Sequence, residues 1–328
     1  MKTYALIFTG LLASASAFAA RPVDPTLIGG EPAPEGVYPA SLYASMGGSR
    51  CTATVVGSKV LLIAAHCVND GGTAQVTTGG KRYSFKCTHH SAYVKQAWTQ
   101  HTKNLKGEGE FTDVELVNAT ADWALCKSTE EVTGIKYEKI ATDLSLLKVG
   151  DQLMLTGYGC IRPGGSGGND GIYRIGKSSV TRLPRGSDYD TITQSNAALC
   201  FGDSGGPAFL ELPNGDRYVW SVNSRGNIRD TSYLSTLAVE PFLTWARQWT
   251  ASNDVKICGL NGDATGCRGG NVPPPPPPDE DKKDFRACLS AYLDAGASLF
   301  HKSAGQAGGA AEPLKTLGAC DLLPRPLQ

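Results

Sequence analysis

The chain predicts an all-β fold rich in loops. Three observations point there: 39 glycines among 328 residues, a charged fraction of 19 %, and short β-branched apolar runs separated by Gly, Pro, Asn or Asp. Many short strands with such punctuation argue for a sandwich or barrel and against a helical protein. The length allows one large domain with an appendage, or two domains. The 31 basic and 31 acidic residues balance, so charge gives no reason to expect nucleic acid or anionic lipid as a partner.

Taken in order, the chain opens on Met1-Lys2-Thr3, an apolar run from Tyr4 to Leu12, and Ala17-Phe18-Ala19. A positive start, a short hydrophobic core and an A-x-A signal predict an export peptide cut near Ala19. The run is too short to span a bilayer, and no second such stretch predicts a transmembrane segment. Strands are expected over residues 55–65, 153–158, 207–212, 218–223 and 233–239. The first of these runs into His66. Residues 92–121 are polar, show no clear periodicity, and read as a surface loop. Residues 239–249 carry apolar side chains at helical spacing, with Pro241 tolerated in the first turn.

Beyond that helix the character changes. Cys258 and Cys267 enclose a small Gly/Asn/Asp loop, and six consecutive prolines, 273–278, predict a stiff extended spacer. Phe285, Leu289, Tyr292 and Leu293 then repeat at helical spacing. This predicts a small helical appendage at the lower edge of independent folding. Ten cysteines in an exported chain make disulfides the default. The rival reading is a metal site. It lacks a Cys-x-x-Cys pair, and the histidines at 89, 90 and 101 have no ligand cluster at the right spacing. No metal and no cofactor are therefore expected.

Chemistry concentrates in three segments. Cys200-Phe201-Gly202-Asp203-Ser204-Gly205-Gly206-Pro207 holds a serine among glycines. Ile63-Ala64-Ala65-His66-Cys67 lies upstream, and Ala121-Asp122-Trp123-Ala124-Leu125 lies between them. A serine hydroxyl needs a base, an acid to orient that base, and N–H donors for the developing oxyanion. A second G-x-S-x-G, Gly164-Gly165-Ser166-Gly167-Gly168, lacks the strand before it and the helix after it that a nucleophile elbow requires, and reads as a flexible loop.

These three segments, in the order His, Asp, Ser, resemble the trypsin/chymotrypsin serine protease family, over residues from about Leu27 to about Thr250. The resemblance implies two packed six-stranded antiparallel barrels, a closing helix and a triad in the cleft between the barrels. It divides the chain into a signal peptide (1–19), a propeptide (20–26), a protease domain (27–251), a Cys loop and proline linker (252–278) and a C-terminal segment (279–328). Ser204 would be the nucleophile and His66 its base. Asp122 would orient His66, with Asp113 as the competing carboxylate. The N–H groups of Gly202 and Ser204 would form the oxyanion hole. Asp203 would pair with a new ammonium at Leu27 after propeptide cleavage, although Thr26 precedes that bond and Arg21 offers another first cut.

By the same resemblance Ala198 occupies the floor of the specificity pocket, and Ser224 and Gly226 belong to the strand that pairs with substrate. Alanine at 198 implies an open, mostly apolar pocket. Asp230 is the acid that could instead attract a basic side chain, and Arg225 stands where the family usually has tryptophan. Cys51–Cys67 matches the family's bridge at the histidine loop, and the other family bridges are absent at their usual positions. The loops and strands the resemblance places side by side suggest Cys160–Cys200 and Cys87–Cys126 instead, with Cys258–Cys267 and Cys288–Cys320 completing the set locally. The function implied is a secreted or periplasmic endopeptidase, monomeric, acting on proteins or peptides. The alternative is a catalytically silent binding protein on the same fold.

Overall fold

The computed structural model describes residues 27–105, 110–168, 170–262 and 266–268. The expected signal peptide and propeptide, the proline run, the C-terminal segment and the expected Cys288–Cys320 pairing lie outside the described residues.

Alternation along the strands builds the first barrel. A two-residue strand, β1 (Glu31–Pro32), precedes it. The barrel itself comprises β2 (Ser41–Met46), β3 (Ser49–Gly57), β4 (Val60–Ile63), β5 (Thr73–Thr78), β6 (Lys81–His89) and β7 (Ala124–Ser128). It closes in the order β2-β3-β4-β7-β6-β5. In β6, Tyr83, Phe85 and Cys87 are buried while the residues between them are exposed, the period of two that a half-buried strand requires. Cys87 lies directly opposite Cys126 on β7, and the two are bonded. The apolar run at 55–65 forms two strands instead of one. Ser58 and Lys59 turn the chain, and their carbonyls accept the N–H groups of Val132 and Ser128.

The second barrel follows a short parallel strand, β8 (Lys139–Ile140), that lies beside it. Its strands are β9 (Gln152–Gly157), β10 (Arg174–Arg182), β11 (Asp190–Gln194), β12 (Pro207–Glu211), β13 (Arg217–Gly226) and β14 (Thr231–Thr236). Pairing of β9 with both β10 and β12 closes the ring. Leu153, Leu155, Leu210, Trp220 and Leu234 fill this barrel. Full burial of each such side chain contributes about 1.5–3 kcal/mol. β14 stops at Thr236, earlier than expected, and the Leu237 N–H makes a last bond to Trp220 O of β13 before the closing helix.

Residues 92–121 depart from the expected loop. They contain α1 (Lys95–Lys103) and α2 (Asp113–Thr120). Thr112 and Glu115 form a capping box at the start of α2, which satisfies two of its open N–H groups. No such cap serves α1. Only Ala97 and Trp98 are apolar among its nine residues, too few to mark a helical stripe in the sequence. The closing helix, α3 (Glu240–Asn253), buries Phe242, Leu243, Ala246 and Trp249. No helix among the described residues is long and apolar enough to cross a membrane.

Candidate active site

His66 sits where β4 ends. A turn of 3-10 helix, Ala65–Cys67, carries it, and the Cys51–Cys67 bridge ties that turn to β3. Asp122 precedes β7 and is fully buried. Its neighbour Trp123, also fully buried, is packed by the rings of Tyr189, Phe242 and His90. That anchor aims the carboxylate at His66. Asp122 Oδ2 lies 2.7 Å from His66 Nδ1, and Oδ1 accepts the His66 backbone N–H at 2.8 Å. An ionised carboxylate can only accept, so Nδ1 carries the ring proton and Nε2 presents a lone pair. Asp113, the competitor, opens α2 on the exposed surface and makes no bond to His66 among the described residues.

The Ser204 loop is pressed against β3 and the turn that carries His66. Ser204 O accepts the Thr52 N–H at 2.8 Å. At Gly205 an added Cβ would lie 2.5 Å from Thr52 O and 3.1 Å from Ala64 N, so only glycine lets the two loops approach this closely. Within the loop the N–H groups of Asp203, Gly205 and Gly206 donate to Cys200 O, Asn223 O and Asp203 O. Those of Gly202 and Ser204 have no acceptor among the described residues. Gly202 itself adopts φ 107°, a region that side-chain-bearing residues avoid. Two free N–H groups beside a serine hydroxyl can hold a developing oxyanion. Among the described residues no hydrogen bond joins Ser204 Oγ to His66 Nε2. Such catalytic bonds are commonly long before substrate binds.

Asp203 is fully buried. Its oxygens accept the N–H groups of Gly159 and Cys200, both at 2.8 Å, and no cation pairs with it among the described residues. Burial raises its pKa to about 7, against the pull of those two N–H groups and of Arg174. Leu27 is also fully buried. The next residue, Ile28, bridges to Ala198, whose N–H donates to Ile28 O at 2.9 Å. The Leu27 segment is therefore docked on the same loop that carries Asp203.

The pocket residues are less open than expected. Ala198 is fully buried in a small apolar cluster with Ile28, Cys160 and Cys200, and Ile228 packs against it. The Cys160–Cys200 bridge is part of that cluster. Gly226 approaches β14 so closely that a Cβ would lie 2.7 Å from Thr231 O. Asp230 is turned back on its own hairpin, accepting from Asn227 Nδ2 at 2.7 Å and Thr231 Oγ1 at 2.8 Å. These bonds hold its pKa down, and they engage it away from Ala198. Ile228 has φ 55°, a strained conformation for a β-branched residue and of a kind that concentrates at functional sites.

Sequence reading missed several residues that shape this site. Trp98 of α1 stacks on the His66 ring, with centroids 4.2 Å apart and planes 15° apart. Thr52 Oγ1 donates to Gly202 O at 2.9 Å and receives the Tyr158 N–H at 3.2 Å. Arg225 is buried and paired with Asp190. Only Arg225 carried a signal, as a departure from the family's tryptophan. Phe201 is 62 % exposed, and its ring lies against Gly165. The segment Gly164–Gly168 is a turn bridged by Arg162 and Ser166. Cys51, Cys67 and His66 gather within 4.8 Å, but the two sulfurs are bonded to each other, which leaves no thiolate for a metal.

The trypsin family model matches residues 27–246, which span both barrels and every site residue above. The chain is also similar to serine protease SP24D of Anopheles gambiae, with 24 % identity over 241 residues that cover 67 % of this chain and 79 % of that protein. A match across most of the chain, on two closed barrels, means that the protein belongs to the trypsin family.

Proposed function

We propose that the protein is an exported serine endopeptidase working through a covalent acyl-enzyme. One observation carries this reading: a fully buried Asp122 holds His66 at 2.7 Å, on a turn packed against a serine loop with two N–H groups unpaired among the described residues. His66 Nε2 takes the proton of Ser204 Oγ as that oxygen attacks the scissile carbonyl. Asp122 keeps the tautomer and offsets the charge of the imidazolium. The N–H groups of Gly202 and Ser204 receive the oxyanion. His66 then returns the proton to the leaving amine, and water repeats the sequence on the ester. The substrates are proteins or peptides, the active form is a monomer, and the chemistry needs no cofactor.

Four disulfides support an oxidising compartment. Maturation cuts the chain before Leu27, and the new ammonium pairs with Asp203. A fluorophosphonate probe tests the whole reading, combined with N-terminal sequencing of the labelled protein. Label on Ser204 in a chain beginning at Leu27 is expected. A correctly cut chain that takes no label would favour the silent binding protein.

Before that cut, Asp203 has a stability signature. With its pKa raised from 3.8 to about 7, the folded uncut chain keeps a proton that the unfolded chain releases above about pH 4. Asp203 therefore makes the uncut chain less stable as pH rises from about 4 to 7. Melting temperatures of the uncut chain at pH 4.5 and 7.5 should differ more than those of Asp203→Asn. Equal differences would mean that Asp203 is already paired.

Specificity follows from the apolar cluster over Ala198. A cationic side chain would be desolvated there without a partner, so apolar residues before the cut are preferred. The position of Ile228 limits their size. Ile228→Gly relieves the left-handed strain and opens the pocket. It should raise kcat/KM for Phe or Tyr relative to Ala by about tenfold, the scale on which pocket volume discriminates. An unchanged ratio across a substrate library would remove Ile228 from the pocket.

A further inference from the structure

The carboxylate of Asp122 has a third partner. Ser224 Oγ donates to its Oδ2 at 2.6 Å, and Ser224 is 1 % exposed. A hydroxyl owns one hydrogen and two lone pairs. Two other groups reach this oxygen: Trp98 Nε1 at 3.0 Å and Arg225 Nη1 at 3.0 Å. An indole N–H and a guanidinium can only donate. They occupy both lone pairs and leave the hydroxyl hydrogen one acceptor, Asp122. We propose that Trp98 and Arg225 are positioning residues, two obligate donors that lock the Ser224 hydroxyl onto the catalytic carboxylate, which makes helix α1 a working part of the active site. This inference rests on the endopeptidase reading above.

The lock is built from both sides. Arg225 Nη2 is paired with the buried carboxylate of Asp190, and Nε donates to His101 Nδ1 at 3.0 Å. The guanidinium lies 5.4 Å from the centre of the Tyr233 ring. His101 is buried beside that guanidinium, and both effects hold its pKa down to about 4, so it remains a neutral acceptor. Trp98 and His101 are three residues apart on α1 and share a face. One helical turn therefore bonds two successive residues of β13. Successive strand residues normally point to opposite faces. The register irregularity of β13 between Asn223 and Arg225 interrupts that alternation. A charged donor on one lone pair polarises the hydroxyl and strengthens the bond it makes. The effect falls on the orientation of Asp122 and His66, and so on the chemical step.

Trp98 also stacks on His66, and the test separates the two contacts. Trp98→Phe keeps a ring over the imidazole and removes the N–H. It is compared with Ser224→Ala and with the double variant, in the mature full-length protein, with active sites counted by fluorophosphonate titration. Trp98→Phe is expected to lower kcat about fivefold, the scale of one neutral hydrogen bond, with KM nearly unchanged. In the Ser224→Ala background the same substitution should cost less than about twofold, because the hydroxyl it acts through is gone. Arg225→Lys keeps a cation beside Asp190 and loses the fork. It should lower kcat about tenfold with Ser224 present and little without it. Equal effects in the two backgrounds, or an effect confined to KM, would overturn the proposal. The His66 Nδ1 proton resonance gives the same comparison without substrate. It should shift with Trp98→Phe when Ser224 is present and stay fixed when it is absent. A wild-type protein that turns over no peptide would sink the endopeptidase reading, while this resonance would still decide the positioning claim.

Discussion

Ser204→Ala is expected to lower turnover of peptide amides by about six orders of magnitude, the loss typical when a triad nucleophile is deleted. Alanine keeps the loop geometry, because the Ser204 carbonyl still accepts from Thr52 and Gly205 still packs on Ala64. What disappears is the oxygen that attacks. His66 then has no proton to take, so His66→Ala in the same chain should add almost nothing, since residues that act as a unit lose their effect together. A residual rate about 10³–10⁴ above water is expected from the N–H groups of Gly202 and Ser204 and from binding alone. Active-site titration must accompany the rate, because a trace of wild-type protein would mask so large a loss. Ser166, in the second G-x-S-x-G, is the internal control. Its segment is a turn with no base beside it among the described residues, and Ser166→Ala should leave the rate within about twofold. Activity that survived at Ser204 and vanished at Ser166 would move the nucleophile.

The barrels were legible because their strands alternate or run apolar between Gly, Pro, Asn and Asp, and tertiary context only trimmed their ends. Residues 55–65 failed as one strand because both arms of the hairpin are buried and apolar, and the polar turn between them, Ser58-Lys59, is only two residues long. The motif around Ser204 was legible because a sharp loop beside a cleft needs glycines at fixed offsets. Helix α1 was not. Its stabilising partners, His66 for Trp98 and Arg225 for His101, lie 32 and 124 residues away in sequence. A nine-residue helix with only Ala97 and Trp98 apolar is too short and too polar to declare itself in the sequence. Asp190 is similar: nothing near it in sequence marks a carboxylate that will be buried against Arg225. Ile228 was hidden for a different reason, since a left-handed backbone at a β-branched residue contradicts local preference. The sequence predicted an open pocket because the hairpin that brings Ile228 over Ala198 could not be traced residue by residue.

Asp122→Asn should cost about four orders of magnitude in kcat, the scale set when a triad aspartate is replaced by its amide. Three donors converge on Asp122: the His66 backbone N–H on Oδ1, and His66 Nδ1–H with the Ser224 hydroxyl on Oδ2. An asparagine can satisfy the backbone N–H with its single oxygen, but its NH₂ then faces the other two. Imidazole responds by moving its proton to Nε2 and accepting at Nδ1, which leaves no lone pair to receive the proton of Ser204. Ser224 has less freedom, because Trp98 and Arg225 already hold both of its lone pairs. Donor is therefore set against donor in a fully buried site, and such unsatisfied groups cost about 1–3 kcal/mol each. The melting temperature should fall together with the rate, whereas Ser204→Ala should leave it nearly unchanged. Asp113→Asn provides the contrast. Asp113 is exposed on the first turn of α2, where it meets only the weak field of the helix terminus, and its loss should leave kcat within about twofold. A larger effect at Asp113 than at Asp122 would mean that the carboxylate bonded to His66 is not the one that directs its proton.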